Sequence, residues 1–257
     1  MIKKVLVGSL TAAAAIMGSS ATAHDFFLLP EQFQVGKEMP LKIQATVGSS
    51  FPKPEAAVPA DRAERVTAIG PGNPKVGIAG TSANALDLRL TGTRPGLTAI
   101  AVATKARDVE YAEDRIPLIL EEYRVAPQAA AAVGALPRPR TWQVSSRRFA
   151  KTFVCVQACR DRTAVERPFG AHLEFVGQSS STSHFRLLAG GKPLPNYPVD
   201  LVGADGKREH LTTDARGDVH LPATKRGTLM LFAAKLEPPT GQERFTLDLT
   251  SLTLDRT

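Results

Sequence analysis

The stretch Leu41-Lys42-Ile43-Gln44-Ala45-Thr46-Val47 places an apolar residue at every second position. A period of two predicts a β-strand with one buried face. Further strands flank it. Residues 25–29 form a short apolar run stopped by Pro30, and residues 65–69 lead into the turn Gly70-Pro71-Gly72-Asn73-Pro74. Residues 85–90 and 97–103 bracket a second turn, Thr93-Arg94-Pro95-Gly96. Short strands at this spacing predict a β-sandwich over residues 24–107.

The last ninety residues read the same way. Gly190-Gly191, Ala204-Asp205-Gly206 and Asp214-Ala215-Arg216-Gly217 mark turns, and strands are expected between them at 185–188, 199–202, 209–213 and 219–221. Residues 228–234 are almost continuously apolar, which suits a strand buried on both faces. Phe245, Leu247 and Leu249 alternate, then Leu252 and Leu254 alternate in the other register. That slip at Thr250-Ser251 predicts a β-bulge. A second sandwich is therefore expected over 168–257.

Between them, residues 108–167 read as a helical, charged connector. Residues 108–123 hold six acids against Arg115, and their apolar residues suit a short helix with Pro117 in its first turn. Pro127 opens an alanine run, a second helical turn. Residues 138–167 then carry eight bases against Asp161 and Glu166. The expected fold is mostly β: two immunoglobulin- or transthyretin-like β-sandwich domains joined by this connector.

The 257-residue chain has a formal charge of +7. Residues 1–23 have the layout of a secretory signal peptide. Lys3 and Lys4 precede an apolar run, and a small-residue exit ends in Ala21-Thr22-Ala23. Cleavage there removes both lysines and lowers the formal charge to +5. It predicts a periplasmic protein with no transmembrane span left after cleavage. Export also argues against nucleic acid as the partner of the basic stretch. That stretch can instead meet acidic lipid headgroups or an acidic partner, or face the acidic segment of its own chain.

Two motifs resemble known families. Gly191-Lys192-Pro193-Leu194-Pro195-Asn196-Tyr197-Pro198-Val199-Asp200-Leu201-Val202, with Thr212-Thr213-Asp214-Ala215-Arg216-Gly217-Asp218-Val219, resembles carboxypeptidase-regulatory or transthyretin-like modules. The wider chain resembles bacterial periplasmic proteins named with NikM-like components of nickel and cobalt uptake. The match rests on His24-Asp25-Phe26-Phe27-Leu28-Leu29-Pro30, on Phe149-Ala150-Lys151-Thr152 with Gly170-Ala171-His172-Leu173-Glu174-Phe175-Val176, and on the module. The resemblance implies a transition metal as ligand and a metal transporter or envelope protein as partner. The Cys-x-x-x-Cys spacing departs from it.

The residues able to bind metal are histidines. Cleavage after Ala23 makes His24 the first residue, offering its α-amine and Nδ1 as a chelate suited to copper(II) or nickel(II). A second imidazole would come from His172, His184, His210 or His220. His210 and His220 flank the turn at 214–217, and His172 has same-face spacing with Glu174. Each also reads as an ordinary surface histidine. Cys155 and Cys159 read first as a periplasmic disulfide. On a helix they would share a face and could hold a soft metal.

No His-Glu-x-x-His, Gly-x-Ser-x-Gly, phosphate-binding loop or dinucleotide fingerprint occurs. The expectation is a non-enzymatic exported binding protein for nickel, cobalt or copper. A metal-free structural or interaction module of the cell envelope is the alternative, and a copper enzyme using His24 a weaker one.

Overall fold

A computed structural model describes residues 25–240 and 244–256. The expected signal peptide and His24 lie outside them. In chain order the strands begin with β1 (Asp25–Pro30), β2 (Gln34–Val35), β3 (Leu41–Gly48), β4 (Ala56–Ala57), β5 (Ala63–Ile69), β6 (Lys75–Thr81), β7 (Leu86–Thr91), β8 (Gly96–Thr104) and β9 (Arg107–Ala112). Helices α1 (Ile116–Glu122) and α2 (Pro127–Gly134) follow, each with proline in its first turn as expected. After them come β10 (Thr141–Val156), β11 (Leu173–Gln178), β12 (Ser181–Ala189), β13 (Lys192–Pro193), β14 (Pro198–Gly203), β15 (Arg208–Thr212), β16 (Asp218–His220), β17 (Gly227–Glu237) and β18 (Phe245–Arg256). The fold is mostly β, with strands in sandwich packing.

These strands form three sheets. One runs β1-β3-β7-β6, with β4 on β3. The second and largest runs β15-β14-β17-β18-β10-β8-β5, with β2 and β9 also on β10. The third runs β11-β12-β13, with β16 on β12. Within the large sheet β10 pairs parallel with β18, and antiparallel with β8 and β9.

The large sheet is a middle layer because both of its faces are apolar. On β17, Leu229, Leu231 and Ala233 join one core, against Phe175, Phe185 and Leu187 of the third sheet. The intervening Met230, Phe232, Ala234 and Leu236 join another, against Ile116, Ile119 and Val133 of the helices. Further along, Ile100, Ala150 and Val154 pack on Ile43, Leu86 and Leu88 of the first sheet. The continuous apolar run expected at 228–234 is the sequence trace of this two-sided burial.

Two expectations are corrected. The bulge predicted at Thr250-Ser251 is absent. β18 pairs residue for residue with β10 and with β17 through this point. Instead the strand changes which face carries its large apolar side chains. Phe245, Leu247 and Leu249 point to the helices, and Leu252 and Leu254 to the third sheet. The segment expected as a helical connector also contains β9 and the sixteen-residue β10. Arg147, Arg148 and Lys151 hid its alternation, and two of the three are paired internally, with Asp248 and Glu174. The large sheet thus takes strands from 24–107, 108–167 and 168–257 alike.

Candidate functional site

The histidines are dispersed. His172 precedes β11 and lies 2.7 Å, through Nε2, from an Arg147 guanidinium nitrogen. Arg147 is itself held by a two-point ion pair to Asp248. Glu174, expected to share a face with His172, is buried and turned inward to Lys151. His220 on β16 sits directly opposite His184 on β12, with ring centroids 3.9 Å apart. His184 Nε2 is 3.6 Å from Asp218. His210 belongs to β15 in the large sheet, so the turn at 214–217 does not bring it to His220. Gly217 makes that turn possible: its φ is +79°, and a Cβ would lie 2.9 Å from the Leu194 nitrogen. Among the described residues no group of three or more His, Cys, Asp or Glu could hold a metal.

One charged network reaches the start of β1. Asp25 is buried and pairs with Arg208. Arg208 also reaches Asp200 at 3.1 Å, and Asp200 accepts from Arg124 at 2.9 Å. Asp200 Oδ1 lies 2.9 Å from His210 Nδ1. Cross-strand register causes this last contact, because Asp200 and His210 are paired across β14 and β15. The His210 side chain is 62% exposed. Burial, working against Arg208, pushes the Asp25 carboxyl up to about 6. Among the described residues Asp25 Oδ1 is buried without a hydrogen-bond partner.

A second feature is a split in the middle sheet. β9 pairs with β10 over 141–146 and β8 with β10 over 153–156. Between them, residues 147–152 have no β8 or β9 partner in register. A cavity opens on each side of this gap. One, of about 610 Å³, holds Arg147, His172 and Asp248. The other, of about 340 Å³, holds Arg62, Arg107, Tyr111, Tyr123 and Ser146. Arg148 lines both.

Cys155 and Cys159 form the expected disulfide. Cys155 lies on β10, paired with Leu97 and Gln34, and Cys159 lies just past the end of that strand, not with it on a helix. The acidic and basic segments meet in part. Arg140 makes a two-point pair with Glu113, and Arg138 lies 3.5 Å from it. Arg140 first, through its hydrogen bonds, holds the Glu113 carboxyl at about 2. Other bases of that stretch turn elsewhere: Lys151 goes to Glu174, and Arg162 to the Ser179 and Ser181 carbonyls.

The sequence model of a domain of unknown function, DUF4198, matches residues 21–236. The chain belongs to the DUF4198 family. No curated protein matches it. The DUF4198 match spans His24, the Asp25–Arg208–Asp200–His210 network and the split beside Arg148. It stops before β18, the strand that closes the large sheet between β10 and β17.

Sequence reasoning did not find Asp200, Arg124, Arg208 or Arg148. Arg124 meets Asp200 across 76 residues of chain, and Arg208 meets Asp25 across 183. No local spacing carries such a signal.

Proposed function

We propose that this DUF4198 chain is an exported binding protein that holds a transition-metal ion, nickel, cobalt or copper, at its mature N-terminus through His24. The observation that carries the reading is the contact of His210 Nδ1 with Asp200 Oδ1 at 2.9 Å. A histidine tied to a carboxylate at one ring nitrogen presents the other as an oriented ligand. His210 Nε2 makes no hydrogen bond among the described residues and its side chain is mostly exposed. The same network ends on Asp25, the residue after His24.

The remaining histidines fit less well. His172 Nε2 faces the Arg147 guanidinium, and a neighbouring cation opposes a metal ion. His184 and His220 stack in the third sheet, with no third ligand grouped with them among the described residues. An α-amine and imidazoles form a nitrogen donor set that suits copper(II) and nickel(II). Bound there, the metal would be cargo or a structural ligand. A metal-uptake transporter of the envelope is the partner this reading implies.

The test begins with mass spectrometry of the exported protein, which must start at His24. Calorimetric titration with Cu(II), Ni(II) and Co(II) then compares the mature chain with His24→Ala, His210→Ala and, as control, His220→Ala. Loss of affinity in the first two and not the third supports the site. Equal affinity in His24→Ala ends the proposal.

A further inference from the structure

We infer that the smaller cavity at the split between β8 and β9 is a binding site for a small organic anion, a carboxylate or phosphate head on an apolar body, with Arg148 as its central counter-charge.

The site follows from strand pairing. β8 leaves β10 at residue 153 and β9 joins it at 146, so on that edge Arg148 has neither strand in register, while β18 pairs with it on the other edge. Its backbone nitrogen still donates to Thr104 Oγ1 at 3.1 Å, which fixes the residue at the gap. Arg148 is half-buried as a residue, and its guanidinium makes no hydrogen bond or ion pair among the described residues. Its neighbours behave differently. Arg147 is locked by Asp248, and Lys151 by Glu174. A partly desolvated cation without a counter-charge is costly unless a ligand supplies one.

The surroundings suit an anion. Arg62, Arg107 and Arg148 line the cavity, and no carboxylate does. Arg62 is committed to the Lys105 and Ala106 carbonyls at 2.9 and 3.2 Å and braces the loop at the gap. Arg107 is exposed. Tyr111 and Tyr123 face the same space, where the Arg148 charge acts on both phenols and the Glu122 charge, from outside the cavity lining, opposes it. Burial pushes both phenols up, so their hydroxyls stay protonated and able to donate. Val47, Val58 and Val109 supply apolar wall. A volume of about 340 Å³ lies at the small-molecule end of the range for ligand sites. The inference is independent of the metal reading, because none of its residues belongs to the His24–His210 network.

Trp142 reports on this cavity. It is the chain's one tryptophan, and its ring centroid lies 5.2 Å from that of Tyr111. The test is a tryptophan-fluorescence titration with benzoate, phenyl phosphate, inorganic phosphate and uncharged benzamide. A saturable change with benzoate or phenyl phosphate and none with benzamide is expected, and the stronger of the two names the head group. Arg148→Gln should weaken binding about tenfold or more, since it removes a charged hydrogen-bond donor. Arg148→Lys should restore part of the loss. Arg65→Gln, which lines only the larger cavity, should leave affinity unchanged. Absence of a saturable change with any anion at millimolar concentration overturns the inference, as does unchanged affinity in Arg148→Gln. If Arg148→Gln does not fold, unchanged affinity in Arg107→Gln overturns it instead.

Discussion

Lys151 and Glu174 join the middle sheet to the third as a fully buried ion pair, Nζ to Oε2 at 3.0 Å. Lys151 also donates to the Phe175 carbonyl at 2.7 Å, and Glu174 accepts from the Phe169, Gly170 and Ala171 amides. The Phe169 ring lies 5.0 Å from the ammonium. Burial pushes the lysine's proton affinity down, with the Glu174 charge opposing it.

Breaking this pair leaves one charge buried and uncompensated. Lys151→Met and Glu174→Gln should each cost about 3–5 kcal/mol. The double substitution should cost less than the two losses added. Urea unfolding of all three variants measures this. Single losses below ~1 kcal/mol would mean that water or a shifted proton compensates the site.

Leu247 and Leu252 lie on one strand but in opposite cores. Truncating either to alanine should cost about 2–5 kcal/mol. The double variant should lose the sum within about 0.5 kcal/mol, because the two sites share no packing partner. Strong coupling between them would contradict the middle-layer position of β18.

Asp218 is almost wholly buried and makes a two-point bond with Arg186, Nε at 2.7 Å. That bond holds its carboxyl below the usual range. A lowered folded value means that the pairing stabilises the fold at neutral pH. The contribution fades as pH falls below roughly 4, through the depressed folded value. Asp218→Asn should therefore cost about 1.5–3 kcal/mol at pH 7. Its gap to the native chain should narrow as pH falls from 5 toward 2 (roughly the carboxylate range). A gap independent of pH would assign the loss to packing rather than to charge.

The Cys155–Cys159 bridge closes a loop with a sequence separation of 4. Loop-closure entropy for so short a ring predicts about 2 kcal/mol of stabilisation. The paired Cys155→Ser, Cys159→Ser variant should lose about that much in denaturant unfolding. A much larger loss would show that the bridge also holds the neighbouring end of β10 against β2, where Gln157 donates to the Val35 carbonyl.

Local signals carried the strands and their turns. Alternation at Leu41–Val47 and the prolines at 117 and 127 predicted elements that the fold contains. The Cys-x-x-x-Cys spacing, with the expectation of export, pointed to the bridge. β10 was missed because Arg147, Arg148 and Lys151 interrupt its apolar pattern. Each polar side chain is accommodated by a neighbour or a cavity that only the folded chain supplies. The change of face at Thr250-Ser251 looked like a bulge because a single sequence shows where alternation slips, not what covers each face.

The sequence by itself determined that this is a β protein with a bridgeable cysteine pair, and it carries the pattern from which export and a leading His24 are expected. These are local properties, written in periods of two, in turn residues and in short spacings. Tertiary structure alone decided that one sheet is buried on both faces. It also decided that Asp200 on β14 holds one ring nitrogen of His210 on β15, and that Arg148 is left facing a cavity. Those outcomes depend on register between distant strands, and register is set by the pairing of whole faces rather than by any short run of residues.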